Sequence, residues 1–237
     1  MARGLSPLGK ALDGLFVVDK PIGWSSMDVV RRVRQAAGGA KTGHAGTLDP
    51  LATGVVICCL GRATRAVESL MGMTKVYETQ VDLSAFTATD DREGERQQVA
   101  VDSVPDESAL RDALAGFQGQ IEQIPPAYSA VHVNGRRAYQ LARRGMAVEL
   151  SPRTVSIERI ELLDYQWPTV NLRVVCGRGV YIRSLARDLG VLLNTGGHLA
   201  ALRRTAVGSY DLSIAADAQR LEQPVTQADL LPAPVNG

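Results

Sequence analysis

The stretch GHAGTLDPLATGVVICCLG, from Gly43 to Gly61, sets a single carboxylate, Asp49, between glycine-bearing turns and an unbroken apolar run. Pro50 biases Asp49 towards extended backbone angles, because the proline ring disfavours the helical region for the residue before it. Gly43, Gly46 and Gly54 permit sharp turns and the close approach of a ligand to the backbone. A carboxylate held in this way can act as a nucleophile, a general base or an ion-pair partner. It can equally well cap a local turn. Other chemistries find less support. His44, His132 and His198 lack metal-ligand spacing, so no metal site is expected. Cys58, Cys59 and Cys176 form no Cys-x-x-Cys pair, and the first two lie in the apolar run, where they read as small buried hydrophobes. There is no dinucleotide-binding or Walker-type glycine loop and no nucleophile elbow.

Charge is segregated along the chain. Val76 to Ala115 carries ten acids against three arginines, Arg136 to Arg153 five arginines and one acid, and Arg173 to Arg204 six arginines and only Asp188. A net charge of +1 hides this pattern, which suits a molecule with one anion-facing side, although arginine-rich loops can also be simply solvated.

These residues need a scaffold to position them. The chain has 237 residues, 45% hydrophobic and 22% charged, a composition that reads as soluble and globular. Met1–Lys10 lacks the apolar core of a signal peptide, and a cytoplasmic location with no membrane contact is expected. Leu15 to Val18 reads as a strand, followed by a turn at Lys20–Gly23 and a capping box from Ser25 to Asp28. The box opens a helix with Val29, Val30 and Val33 inward and Arg31, Arg32 and Arg34 outward, ended by Gly38-Gly39. Val55–Leu60 reads as a buried strand, and the segment after it as a helix ending at Gly72. Alternation then predicts a strand over KVYETQVDLS, a helix over Asp102–Phe117 and a basic helix over Arg136–Arg144 following an Asn134-Gly135 turn. It also predicts two paired antiparallel strands in TVSIERIELLDY and TVNLRVVCGRG, a helix in YIRSLARDLGVLLNTGG and a last strand. Strands and helices mix without strict alternation, which indicates an α/β (α+β mixed) fold with a central, mainly antiparallel sheet flanked by helices and loops. The Pro- and Gln-bearing tail from Gln223 to Gly237 is expected to be loose.

Six blocks, GLFVVDKPIGWSS, GHAGTLDPLATG, KVYE, QIPPAYSAVHVNGRRAYQLARRG, GVYIRSLARDLG and LRRTAVGSY, resemble in order and approximate spacing those of the tRNA pseudouridine synthase B (TruB) family. They cover most of Gly14 to Leu212. The resemblance implies the pseudouridine synthase fold and an isomerase that converts uridine 55 in the tRNA T arm to pseudouridine by base flipping, without metal or organic cofactor. It places the catalytic aspartate at Asp49, a stacking tyrosine at Tyr77, a substrate-contacting tyrosine at Tyr181 and the aspartate's arginine partner at Arg183. It places an RNA-contacting histidine at His44, a uracil-pocket leucine at Leu202 and a supporting lysine at Lys20. Whether the aspartate attacks covalently or deprotonates the ribose stays open. Val180 stands where the family usually has threonine; valine keeps the β-branched shape but loses a hydroxyl.

The resemblance further implies a catalytic domain over 1–222 that includes an RNA-clamping thumb over 124–153. The short tail over 223–237 is expected to leave out the PUA-type domain that many bacterial members carry. A monomer is expected, with tRNA as partner. Two alternatives are a non-catalytic RNA-binding module and a guide-dependent catalytic subunit of the archaeal and eukaryotic type.

Overall fold

The computed structural model describes residues 12–133 and 135–234. Met1–Lys10 and Asn134 of the expected Asn134-Gly135 turn lie outside them. The chain divides into two units, Met1–Met73 with Arg203–Gly237, and Thr74–Leu202.

The first unit begins with β1 (Gly14–Lys20), α1 (Ser26–Ala36), β2 (Thr42–His44), β3 (Thr53–Leu60) and α2 (Val67–Gly72). β1 runs antiparallel to β3 from Gly14 opposite Leu60 to Lys20 opposite Gly54, and β2 pairs antiparallel with the end of β3. The Ser25 hydroxyl accepts from the Asp28 amide while the Asp28 carboxylate accepts from the Ser25 amide, so the capping box starts α1 as the sequence predicts. Val29, Val30 and Val33 are buried and Arg31, Arg32 and Arg34 exposed. Leu15, Val17, Val55, Ile57, Cys59, Leu70 and Val207 form one apolar cluster. Burial pushes the Cys58 thiol well up and the Cys59 thiol to about 11, consistent with core residues rather than reactive ones.

The helix expected to end at Gly72 does end there, but its first part, Gly61–Ala66, is a 3₁₀ helix. Asp13 accepts from the Ala63 amide and the Thr64 hydroxyl donates to Gly61 O, which tightens that turn locally. The tail is not loose over its described part. Leu231 and Leu15 exchange both backbone hydrogen bonds at 2.8 Å, the Val225 amide donates to Ala36 O, and Thr226 and Asp229 form a capping box. Leu231 adds an edge partner to β1, which outweighs the polar composition of its neighbours.

The second unit holds β4 (Lys75–Asp82), β5 (Ala85–Thr87), β6 (Arg96–Gln98), α3 (Glu107–Ala115), β7 (Gly119–Gln123), β8 (His132–Val133), β9 (Arg136–Arg137) and α4 (Ala138–Ala142). After these come β10 (Arg153–Gln166), β11 (Thr169–Cys176) and α5 (Ile182–Leu192). β4, β11, β10 and β7 are neighbours in that order, each pair antiparallel. The last strands are β12 (His198–Val207), which begins in the second unit and ends in the first, and β13 (Tyr210–Asp211). Within the second unit the Thr79 hydroxyl donates to Ala201 O; within the first, β12 pairs parallel with β3 through Arg203 opposite Thr53 and Arg204 opposite Gly54. The mixed α/β class with a mainly antiparallel sheet is as the sequence predicts.

Two helix expectations are corrected. α3 begins at Glu107 rather than Asp102, because Pro105 disfavours helical angles at Val104 and Asp106 takes the N-cap, accepting from the Ala109 amide. Arg136 and Arg137 are not helical: they pair with Val133 and His132 in a hairpin, and only Ala138–Ala142 forms the helix. No helix among the described residues is long and apolar enough to cross a membrane.

Candidate active site

Asp49 lies half-buried on the loop between β2 and β3, and nearly every turn of that loop is tied to something. The buried Ser26 hydroxyl, one residue into α1, accepts from the Leu48 amide at 2.8 Å and donates to Leu48 O at 3.0 Å. After Asp49, Pro50 O accepts from the Gly23 amide at 2.8 Å and from Lys20 Nζ at 3.4 Å. The Ala52 amide donates to Asp49 O at 3.1 Å, and the Ala45 amide to Ile57 O at 3.0 Å. Each such bond contributes only about 0.5–1.5 kcal/mol net. Together they fasten the backbone on both sides of Asp49.

Lys20, at the end of β1, is fully buried, and its ammonium also donates to Trp24 O at 2.7 Å and Pro21 O at 3.1 Å. Burial brings its pKa down to about 8; the charge of Asp49 opposes this fall, that of Arg204 adds to it, and that of Asp28 opposes it weakly. His44 ends β2, opposite Cys58. Burial lowers its pKa, the Gly46 backbone opposes the shift and Arg204 reinforces it, so the neutral imidazole is favoured. Its Nδ1 is buried without a hydrogen-bond partner among the described residues. Lys20, His44 and Asp49 thus share the first unit, and Lys20 lies within reach of the Asp49 charge.

The second unit carries the other four predicted residues. Tyr77 is buried on the inward-facing row of β4, with Lys75, Thr79 and Val81. Leu202 is buried in β12. Tyr181 is the N-cap of α5, and the buried Gln123 side chain fixes its backbone from both sides, accepting from the Tyr181 amide at 2.8 Å and donating to its carbonyl at 3.1 Å. Two residues on, Arg183 is buried, donating to Thr89 O at 3.2 Å and Tyr128 O at 3.1 Å, with the Asp91 carboxylate 3.5 Å away. Asp91 is itself held by the Thr89 hydroxyl at 2.6 Å and the Glu93 amide at 3.0 Å. Next to it, Asp90 pairs with Arg187 at 2.8 Å. The segment over 124–153 exposes Arg136, Arg137, Arg143 and Arg144, and the Arg143 guanidinium lies over the Tyr139 ring, 5.5 Å from its centroid.

A model of the TruB family pseudouridylate synthase N-terminal domain matches residues 33–182, and one of the tRNA pseudouridylate synthase B C-terminal domain matches residues 183–231. The chain is 46% identical over 233 residues to the tRNA pseudouridine synthase B of Leifsonia xyli, covering 95% of this chain and 76% of that one. It belongs to the TruB family of pseudouridylate synthases. The Thermobifida fusca tRNA pseudouridine synthase B is also 46% identical, over 93% of this chain and 78% of its own length. Among solved structures, a chain of a Cbf5–Nop10–Gar1 complex superposes with a TM-score of 0.69 at 29% identity. That match covers 88% of this TruB-family chain but only about half, 54%, of the solved one.

Four residues of this TruB-family chain that hold a predicted site residue or its loop were not found by sequence reasoning: Ser26 and Arg204 on the Asp49 loop, Asp91 beside Arg183 and Gln123 on Tyr181. Ser26 was hidden by Ser25, which accounts for the capping box. Asp91 and Gln123 act on partners 92 and 58 positions away, with no local signature. Arg204 had a usable signal. Adjacent residues on a strand face opposite ways, so one of Arg203 and Arg204 had to point inward.

Proposed function

We propose that this chain isomerises uridine to pseudouridine in tRNA, at position 55 of the T arm, acting as a cytoplasmic monomer with Asp49 as its catalytic carboxylate. The observation that carries this reading is the 46% identity over 95% of the chain to a tRNA pseudouridine synthase B. The braced Asp49 loop supports it, because a reacting carboxylate must be held at one angle.

In the proposed reaction the N1–C1′ bond breaks, the uracil turns, and a C5–C1′ bond forms. The proton on C5 is lost and N1 ends protonated, so atoms balance and there is no net oxidation or reduction. Asp49 serves either as nucleophile or as base towards the ribose. The uridine must leave its stack to reach it, at a cost of a few kcal/mol. Tyr77 offsets that cost by stacking on the base and is the candidate to take the C5 proton. Leu202 lines the uracil pocket, Tyr181 and Arg183 contact the substrate, and His44 meets the RNA beside the extruded base. Lys20 holds the turn beneath Asp49. The thumb over 124–153 closes on phosphates through its arginines.

Incubating purified protein with unmodified tRNA and mapping pseudouridine at every position tests this. Conversion at uridine 55 alone is expected. Unmodified tRNA would refute the reading, and conversion only after a guide RNA is added would favour the guide-dependent class.

A further inference from the structure

The second arginine of LRRTAVGSY has no part in the chemistry above, yet Arg204 is the largest fully buried side chain among the described residues. Its neighbour Arg203 is an ordinary anchor, bound to Asp19 at 2.7 Å and the Thr53 hydroxyl at 3.1 Å. Arg204 has no carboxylate at ion-pair distance among the described residues. Nε donates to Val55 O at 2.7 Å, Nη1 to Thr47 O at 3.3 Å and Nη2 to Gly46 O at 3.2 Å. Gly46 and Thr47 lie on the arm of the loop that leads to Asp49, and Val55 lies in β3, the strand into which the other arm runs. One planar guanidinium therefore ties the leading arm to that strand.

The glycines of GHAGTLDPLATG fit this brace. Gly54, at φ +108°, is pressed against the Arg204 backbone so closely that a Cβ there would overlap the Arg204 carbonyl. A Cβ at Gly46 would lie 3.8 Å from Nη1. Gly54 thus makes room for the strand that delivers Arg204, rather than for a ligand as its sequence context suggests.

We infer that Arg204 is a positioning residue for the isomerisation, a buried brace that sets the angle of Asp49 by tying the leading arm of its loop to β3; this rests on the isomerase reading above. A lysine in its place keeps the charge but has one nitrogen, which cannot span from Val55 to Gly46. Ser26 braces the middle of the same loop through both backbone groups of Leu48, and gives an independent variant with a smaller change.

The test measures single-turnover isomerisation, tRNA affinity and amide exchange for Arg204→Lys and Ser26→Ala. Displacing a catalytic group by an ångström can cost about a hundredfold, so Arg204→Lys should lose about that much rate and Ser26→Ala about tenfold, each with tRNA affinity within about threefold. Amides of Ala45, Leu48 and Ala52 should exchange faster in Arg204→Lys. A folded Arg204→Lys with near-wild-type rate, or a loss confined to affinity, overturns the inference. Should that variant not fold, a near-wild-type rate in Ser26→Ala overturns the claim that bracing this loop sets the rate. Wild-type protein that converts no uridine refutes the isomerase reading instead. In that case unchanged exchange in the loop of Arg204→Lys still refutes the brace.

Discussion

Lys20→Met should change how stability depends on pH. Lys20 is fully buried, with its ammonium on three carbonyls, and its pKa in the folded chain is about 8, against an ordinary value of 10.5. Burial is the largest cause. Among the charges that act on it, Asp49 and Asp28 favour the ammonium and Arg204 disfavours it. Between about pH 8 and about pH 10.5 the unfolded chain therefore binds more protons at this site than the folded one, and stability from this group rises with pH through that window. A difference of roughly 2.5 units corresponds to about 3 kcal/mol, absent below the folded value and complete above the unfolded one. Methionine does not titrate. Urea unfolding of both proteins at about pH 7.5 and about pH 10.5 isolates the effect, since other alkaline titrations are common to both. The wild type should gain about 3 kcal/mol relative to the variant across that range. Parallel pH dependences in the two proteins would refute the reasoning and mean that Lys20 keeps an ordinary proton affinity inside the fold.

Tyr77→Phe keeps a ring for stacking, worth about 1–3 kcal/mol per base, whereas Tyr77→Ala loses it; Phe should bind tRNA normally but stall before C5 loses its proton, and Ala should also bind more weakly in a filter assay. Replacing Arg143 and Arg144 together by alanine should weaken tRNA binding and reduce the slope of log K against log salt by about 1.5, at roughly 0.7–0.9 per lost phosphate contact, with the rate on bound substrate unchanged. Gly54→Ala places a side chain at a positive φ against Arg204, and should lower stability by at least about 1–3 kcal/mol in urea titrations.

Local signals in the sequence carried most of the elements. Period-two alternation located β4, β10 and β11, and the Ser25–Asp28 box located the start of α1, because these patterns are written within a few residues. Asp49 stood out because a charged residue before proline, among glycines, is locally odd. Composition failed at the tail, where one leucine, Leu231, docks against β1 despite polar neighbours. The basic run at Arg136 failed as a helix because a hairpin to His132 and Val133 satisfies the same backbone groups. The partners that fix the site residues were the least legible. Arg204 reaches Val55 across 149 positions and Arg183 reaches Thr89 across 94, and no pattern within either segment encodes the other.

Tritium release from 5-labelled uridine in tRNA tests the role of the Asp49 carboxylate most directly. Asp49→Asn keeps the side chain's size while removing its nucleophilicity and basicity. The wild type should release tritium stoichiometrically with pseudouridine formation, and the Asn variant should release none while binding tRNA within a few-fold of wild type. Undiminished release from the Asn variant would contradict the account and remove Asp49 from the chemistry.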